Sequence, residues 1–280
     1  YRYIWSKKMK YLNETIGFVG AGNMASALIS GLINSDHNAS KIIASSPERE
    51  HIEKLSKDFG IKTTNNNLDV IDIADILILA VKPNIVQAVI DEIKDVAIDK
   101  DILIISIAAG VKIEKIESQL GPSIRVIRAM PNTPASIMEG VTAICPNSNA
   151  QSKDIENAKI LFECVGKIAL INEKDIDIFT ALIGSGPAYV FYLIESLLDS
   201  SKNLHLSEQE KKNLLASMIS GAANLVLKSE DPPSLLRKKV TSPGGVTQTA
   251  IEEFEKKGLK EIISKSMMAA EKKSIELGED

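Results

Sequence analysis

The chain has 280 residues, 44% of them apolar, and a formal charge of −4 from 33 basic and 37 acidic side chains. That length favours two domains with ample core, and the balanced charge offers no basic field for nucleic acid or an anionic membrane. Cys145 and Cys164 are the only cysteines and lack metal-type spacing, so a reducing, cytoplasmic setting with no bound metal is expected.

Synthesis does not start at a tyrosine, so residues 1–13 read as an N-terminal extension or a vector-derived remnant, with Met9 as an alternative start. The stretch 1–8 lacks the apolar core of a signal peptide. From there, strand patterns fall at 15–19, 41–44, 76–80, 102–105, 123–129 and 141–145. Helical patterns fall between them at 24–33, 47–59, 85–93 and 113–120. Solid Ile/Leu/Val strands alternating with helices predict a Rossmann-type, doubly wound, mostly parallel sheet over 14–173, buried on both faces.

The first strand leads into Gly20-Ala21-Gly22-Asn23-Met24-Ala25, a G-x-G-x-x-A sequence. Gly20 permits the tight turn, Gly22 lets a pyrophosphate approach the backbone, and Ala25 allows close helix–strand packing. Placed after an apolar strand and before a helix, this predicts a dinucleotide site rather than a structural turn or an adenosyl-compound site. The second strand ends in Ala44-Ser45-Ser46-Pro47, without the carboxylate that holds a ribose 2′-hydroxyl in NAD sites. Ser45, Ser46 and Arg49 suit a 2′-phosphate, whereas Glu48 would repel one. NADP is therefore expected, with NAD as the alternative. Lys82 in Ala80-Val81-Lys82-Pro83 lies at the sheet's ligand-binding edge, within reach of a pyrophosphate. Ala108-Ala109-Gly110 leaves room for a nicotinamide ring, and Asn132 in Met130-Pro131-Asn132-Thr133-Pro134 is a candidate hold for its carboxamide.

From about residue 174 strand signals fade, and helices are expected at 175–182, 188–202, 208–229, 234–239, 246–257 and 259–277. Ser207 with Glu210 forms a capping box for the third. That helix is apolar on most sides (Leu214, Leu215, Met218, Ile219, Ala222, Leu225, Val226), so it needs burial that a second subunit would supply. The longest uncharged apolar runs, such as 102–111, are too short for a bilayer, and 213–227 carries Asn213, Ser217, Ser220 and Asn224. An all-α dimerisation domain over 174–280, with no membrane contact, follows.

Within it, Val240-Thr241-Ser242-Pro243-Gly244-Gly245-Val246-Thr247-Gln248-Thr249 places two bare glycines and several hydroxyls where a helix begins. Such an N-terminus attracts anions through unpaired amides and the helix dipole. A second anion cradle, distant from the dinucleotide loop, suggests a small carboxylate substrate.

Together these motifs resemble the pyrroline-5-carboxylate reductase family over residues 16–275. The most specific piece is the 240–251 signature. Supporting it are Ala80 through Pro83, Arg128 through Pro134, and Gly184-Ser185-Gly186-Pro187-Ala188-Tyr189. The resemblance implies hydride transfer from NAD(P)H to the C=N carbon of 1-pyrroline-5-carboxylate, giving L-proline. It implies a helical domain interlocked with its twin, each active site combining one subunit's nucleotide domain with the other's Gly-Gly loop, and dimers assembling into rings. By position it assigns Ser242, Gly244, Gly245, Val246 and Thr247 to the carboxylate clamp, Thr180 to the substrate nitrogen and Glu173 to the substrate's surroundings. Cofactor positions are Val19, Gly20, Ala21, Gly22, Asn23, Met24, Ser46, Glu48, Asn67, Ala80, Val81, Lys82, Pro83 and Ala109. Lys239 departs from the asparagine that some relatives carry three places before the clamp serine.

A protonated cyclic imine is already a strong hydride acceptor, so the protein has to orient it rather than supply a strong acid. His37, His51 and His205 fall outside every motif, as that chemistry allows. A β-hydroxyacid dehydrogenase would need a basic side chain on the helix after the glycine turn, and 188–199 contains no Lys or His. Two alternatives stay open: reduction of another cyclic imino acid, and a non-catalytic NADPH sensor.

Overall fold

A computed structural model describes residues 12–278; the stretch 1–11 of the expected extension lies outside them. The chain runs β1 (Ile16–Val19), α1 (Asn23–Asn34), β2 (Ile42–Ser45), α2 (Arg49–Phe59), β3 (Lys62–Thr64), α3 (Asn67–Ile73) and β4 (Ile76–Leu79). It continues through α4 (Pro83–Asp99), β5 (Leu103–Ser106), α5 (Ile113–Leu120), β6 (Arg125–Met130), β7 (Gly140–Pro146), α6 (Ser152–Glu163) and β8 (Gly166–Leu170). The helical part comprises α7 (Ile176–Phe179), a π-helical turn (Thr180–Gly184), α8 (Gly186–Asp199), α9 (Glu208–Lys228), α10 (Pro233–Lys239), α11 (Val246–Lys256) and α12 (Leu259–Leu277).

The strands form one eight-stranded sheet in the order β3-β2-β1-β4-β5-β6-β7-β8. All pairings are parallel except β6 with β7. The order reverses at β1, which lies between β2 and β4, and the crevice beyond the strand ends there is the ligand-binding point of such sheets. Because successive side chains point to opposite faces, Ile16 and Phe18 enter one core with α1 and α6, while Val19 enters the other with α3, α4 and α5. Every residue of β1, β2, β4 and β5 is buried, which is why these strands read as unbroken apolar runs. Leu12 is buried in the first core, so the fold begins inside the expected 1–13 extension.

Two compact units emerge: residues 12–185 with 270–278, and residues 186–269. In the first, the tail of α12 closes on the loop after β5. A side chain at Gly110 (φ +78°) would stand 2.9 Å from the Leu277 carbonyl oxygen, and Ser274 Oγ bonds Asp177 Oδ1 at 2.7 Å. The segment expected as one helix over 175–182 is α7 followed by the π-helical turn, a one-residue widening at Thr180 that apolar periodicity does not report.

In the second unit α9 starts at its expected cap: Ser207 accepts from Glu210 N–H at 3.3 Å, and Glu210 accepts from Ser207 N–H at 2.9 Å. Lys211 is the one buried side chain of this unit. Leu214, Met218, Leu225 and Val226 are all exposed. One expectation needs correction: by length and composition alone, the 27-residue stretch Glu173–Asp199 is long and apolar enough to cross a membrane. It was missed because Gly184–Pro187 reads as a turn, whereas helix resumes at Gly186 after a bend at Ser185 alone.

Candidate active site

Gly20 follows β1 with φ +105°, and a side chain there would lie 2.6 Å from the Ala80 carbonyl oxygen, so the loops after β1 and β4 meet where glycine is compulsory. Gly22 differs. A Cβ on it would meet nothing within 4 Å, so no protein packing requires its bareness. It caps α1, whose first turn has no acid and no capping side chain. An open approach onto unpaired amides at a positive helix end fits a pyrophosphate. Val19, Ala21, Asn23 and Met24 surround this cradle in sequence; Ala21 is buried and Asn23 exposed. On the neighbouring loop Ala80 and Val81 are half-buried, Lys82 caps α4 with its side chain in solvent, and Pro83 starts that helix.

At the tip of β2 a polar chain runs from the buried Ser45 out to the exposed Glu92. Ser45 Oγ donates to Asn67 Oδ1 at 2.7 Å, and Asn67 Nδ2 donates to Glu92 Oε2 at 2.7 Å. Ser46 is buried, its Oγ accepting from Glu48 N–H at 3.2 Å. Glu48 turns to His51 (2.9 Å) and Arg49 to Glu53 (2.6 Å). His51, set apart from every motif in the sequence, therefore neighbours a cofactor position. Glu92 was not anticipated, because its link to Asn67 depends on α4 lying against α3.

Beyond β5, Ala108 is buried and Ala109 exposed. Beyond β6, Asn132 is buried and works within the protein: Oδ1 accepts from Val141 N–H at 2.8 Å, and Nδ2 donates to Ile183 O at 3.1 Å. It thereby ties the β6–β7 connection to the π-helical turn. Thr180 opens that turn and donates its hydroxyl hydrogen to Ile176 O at 2.7 Å, which leaves its oxygen as an acceptor. Glu173 Oε1 accepts from Ile113 N–H at 2.8 Å and from the buried Arg128 Nη1 at 3.0 Å, fixing a carboxylate at the start of α5. Neither cysteine supplies a nucleophile: burial pushes the Cys145 thiol up to about 12 and raises that of Cys164.

In the helical unit, Gly244 has φ +71° and its N–H donates to Gln248 Oε1 at 2.6 Å, while Gly245 N–H donates to Ser242 O at 3.0 Å. Gly245 caps α11 without a capping side chain, and that helix has no acid in its first turn. As first-turn residues Val246 and Thr247 have amides without intrahelical acceptors; Ser242, Val246 and Thr247 are exposed. Lys239, the departure noted above, is ion-paired with Asp231.

Residues 173–277 match the family profile described as pyrroline-5-carboxylate reductase dimerisation, and 15–110 match that described as NADP oxidoreductase, coenzyme F420-dependent. The pyrroline-5-carboxylate reductase of Pseudomonas aeruginosa is 38% identical over 94% of this chain and 97% of its own length. The chain belongs to the pyrroline-5-carboxylate reductase family. The Escherichia coli member is 35% identical over 95% of this chain and 99% of its own length. Among solved structures, the family member from Coxiella burnetii superimposes with a TM-score of 0.89 at 34% identity, covering 95% of this chain and 99% of that one. The Plasmodium falciparum pyrroline carboxylate reductase, solved with NADP bound, gives 0.87 at 34% identity, covering 96% and 100%. A prephenate dehydrogenase from Aquifex aeolicus, at 14% identity and TM-score 0.54 over 89% of this chain and 99% of its own, shares the fold alone. The chain is thus an NADP-binding oxidoreductase of this family, with the family's dimerisation domain.

Proposed function

We propose that the protein reduces 1-pyrroline-5-carboxylate to L-proline with NADPH as preferred cofactor and NADH as the alternative. The observation that carries this reading is the uncapped, acid-free start of α11 behind Gly244-Gly245, lying within the family's dimerisation match. When bound, the dinucleotide supplies a hydride to the ring C=N carbon. Gly20, Ala21, Gly22, Asn23 and Met24 hold its pyrophosphate, assisted by Val19, Ala80, Val81, Lys82 and Pro83. Ser46, Glu48 and Asn67 would hold its adenosine end, and Ala109 would leave room for its nicotinamide. The second amide hydrogen of Asn132 serves the carboxamide.

The amides of Val246 and Thr247 and the hydroxyl of Ser242 grip the substrate acid, on backbone freedom that Gly244 and Gly245 provide. Thr180, its own hydrogen spent on Ile176, accepts the imine N–H and orients the ring. Glu173, held by Arg128, adds a negative charge that favours the protonated imine. No strong acid is required. The α8 sequence GPAYVFYLIESLLD offers no Lys or His for alcohol dehydrogenation.

The division of labour falls at 173/174, with nucleotide binding over 14–173 and dimerisation and substrate binding over 174–280. A second copy of the chain, not lipid, covers the apolar helices, including Glu173–Asp199. Dimers assemble into a ring, and the enzyme works in the cytoplasm without nucleic-acid partners. Steady-state turnover with NADPH and NADH against five- and six-membered cyclic imino acids is the test. Fastest turnover is expected with the five-membered ring and NADPH. Binding of NADPH with no turnover of any imine would favour a sensor, and preference for the six-membered ring would favour another imino-acid reductase.

A further inference from the structure

We infer that Gln248 is a positioning residue for the carboxylate clamp: its side chain braces the Gly244 peptide so that the Val246 and Thr247 amides meet the substrate acid. The inference rests on the reading of this loop as the acid's binding site.

Little else holds the loop. Pro243 and Gly244 are exposed, and a Cβ placed on Gly244 would meet no atom within 4 Å, so packing within its own chain does not fix it. Gly244 stands at φ +71° next to a second glycine, where backbone freedom is greatest. Thr241 anchors the near side, its Oγ1 donating to Arg237 O at 2.7 Å, and Gly245 N–H closes a turn on Ser242 O. The Gly244 N–H itself is taken by Gln248 Oε1 at 2.6 Å, from one turn into α11.

The orientation of that amide is determined by its far end. Gln248 Nε2 donates to Glu252 Oε1 at 2.6 Å, and an ionised carboxylate accepts only, so nitrogen faces Glu252 and oxygen faces Gly244. The chain Gly244–Gln248–Glu252 thus places a neutral carbonyl beside the clamp and keeps the negative charge a turn farther along the helix. A carboxylate at position 248 would bond the same N–H yet repel an incoming acid. Ordering two glycines before the substrate arrives removes an entropic cost from binding.

The test compares two substrates with NADPH: 1-pyrroline-5-carboxylate and 1-pyrroline, which lacks the acid. Gln248→Leu is expected to raise KM for the carboxylate-bearing imine by about three- to tenfold, the range one hydrogen bond supplies. Its kcat, its KM for NADPH and its kcat/KM for 1-pyrroline stay at wild-type values. Gln248→Glu, which retains the acceptor, is expected to discriminate in the same way against the acid-bearing substrate, and Glu252→Ala to give a smaller rise in the same KM. An unchanged KM in Gln248→Leu overturns the inference. So does a lowered KM, which would make Gln248 a competitor of the substrate acid, and so does an equal loss on both imines, which would make its role merely structural. Failure of the wild type to reduce either imine overturns the functional reading itself, and that result precedes any variant.

Discussion

The two units solve the burial problem differently. In the nucleotide-binding unit whole strands disappear from solvent, and two cores lie on either side of one sheet, each closed by helices of the same chain. The helical unit also carries many apolar side chains, spread around its helices, yet Lys211 alone is buried and Leu225 is 63% exposed. So many exposed apolar side chains within a family dimerisation match mark an interface. The same pattern of residues therefore encodes an internal core in one unit and an intermolecular one in the other.

The sharpest way to break that comparison is Leu225→Asp. An unpaired carboxylate in a dry interface costs several kcal/mol (on the order of 3–5). The variant is expected to sediment as a monomer and lose more than about a hundredfold of its turnover. NADPH binding by the nucleotide unit, followed by fluorescence titration, should stay within a factor of about three. A dimeric, active variant would place the interface elsewhere.

The two loop glycines separate fold from ligand inside the first unit. Gly20→Ala forces φ +105° on a side chain 2.6 Å from Ala80 O and is expected to lower the melting temperature as well as abolish NADPH binding. Gly22→Ala meets open space, so its melting temperature should hold while NADPH affinity falls about tenfold or more, a loss near 1.4 kcal/mol. Equal NADPH affinity in Gly22→Ala and wild type would remove the pyrophosphate from this cradle. Next in size, Thr180→Ala should lower kcat about tenfold, as one oriented hydrogen bond allows, with the NADPH dissociation constant unchanged. An unaltered kcat would leave Thr180 as a back-bonded helix residue.

The smallest effect concerns His37, whose ring is buried with Nε2 unpartnered among the described residues. Burial, aided by Lys41, holds its pKa below the ordinary 6.5. Above that value both folded and unfolded states are neutral and the group contributes nothing. As pH falls through it, the unfolded chain takes up a proton that the folded one resists, so stability declines. Melting temperatures across mildly acidic pH should show a shallower decline in His37→Leu than in wild type; parallel curves would contradict this.

What the sequence discloses follows the same division. β1, β4 and β5 were legible because burial on both faces leaves unbroken apolar runs. The edge strands β3 and β8 were not: Lys62-Thr63-Thr64 carries no apolar side chain, and β8 leaves Lys167 and Leu170 exposed. The antiparallel entry of β7 leaves no trace in composition. Short α3 is set by Asn66, whose side chain accepts from Leu68 N–H, and α6 by a Gln151–Asp154 box, signals that periodicity passes over. At the site, Gly20 was readable because its φ of +105° demands glycine, whereas Gly22, in ordinary extended backbone, was readable only through its spacing in the G-x-G-x-x-A sequence. The bonds of Asn67 to Glu92 and of Asn132 to Ile183 were not, since each joins segments far apart along the chain. Gln248 was within reach, four residues after a cradle glycine, but glutamine on an exposed helix carries no local signal.

A crystal structure of the ternary complex with NADP and L-proline tests the central claim most directly. The account predicts the proline carboxylate within hydrogen-bonding distance of the Val246 and Thr247 amides and the Ser242 hydroxyl, with the ring against the nicotinamide. A carboxylate held elsewhere, with the Gly244-Gly245 loop untouched by ligand, would contradict it.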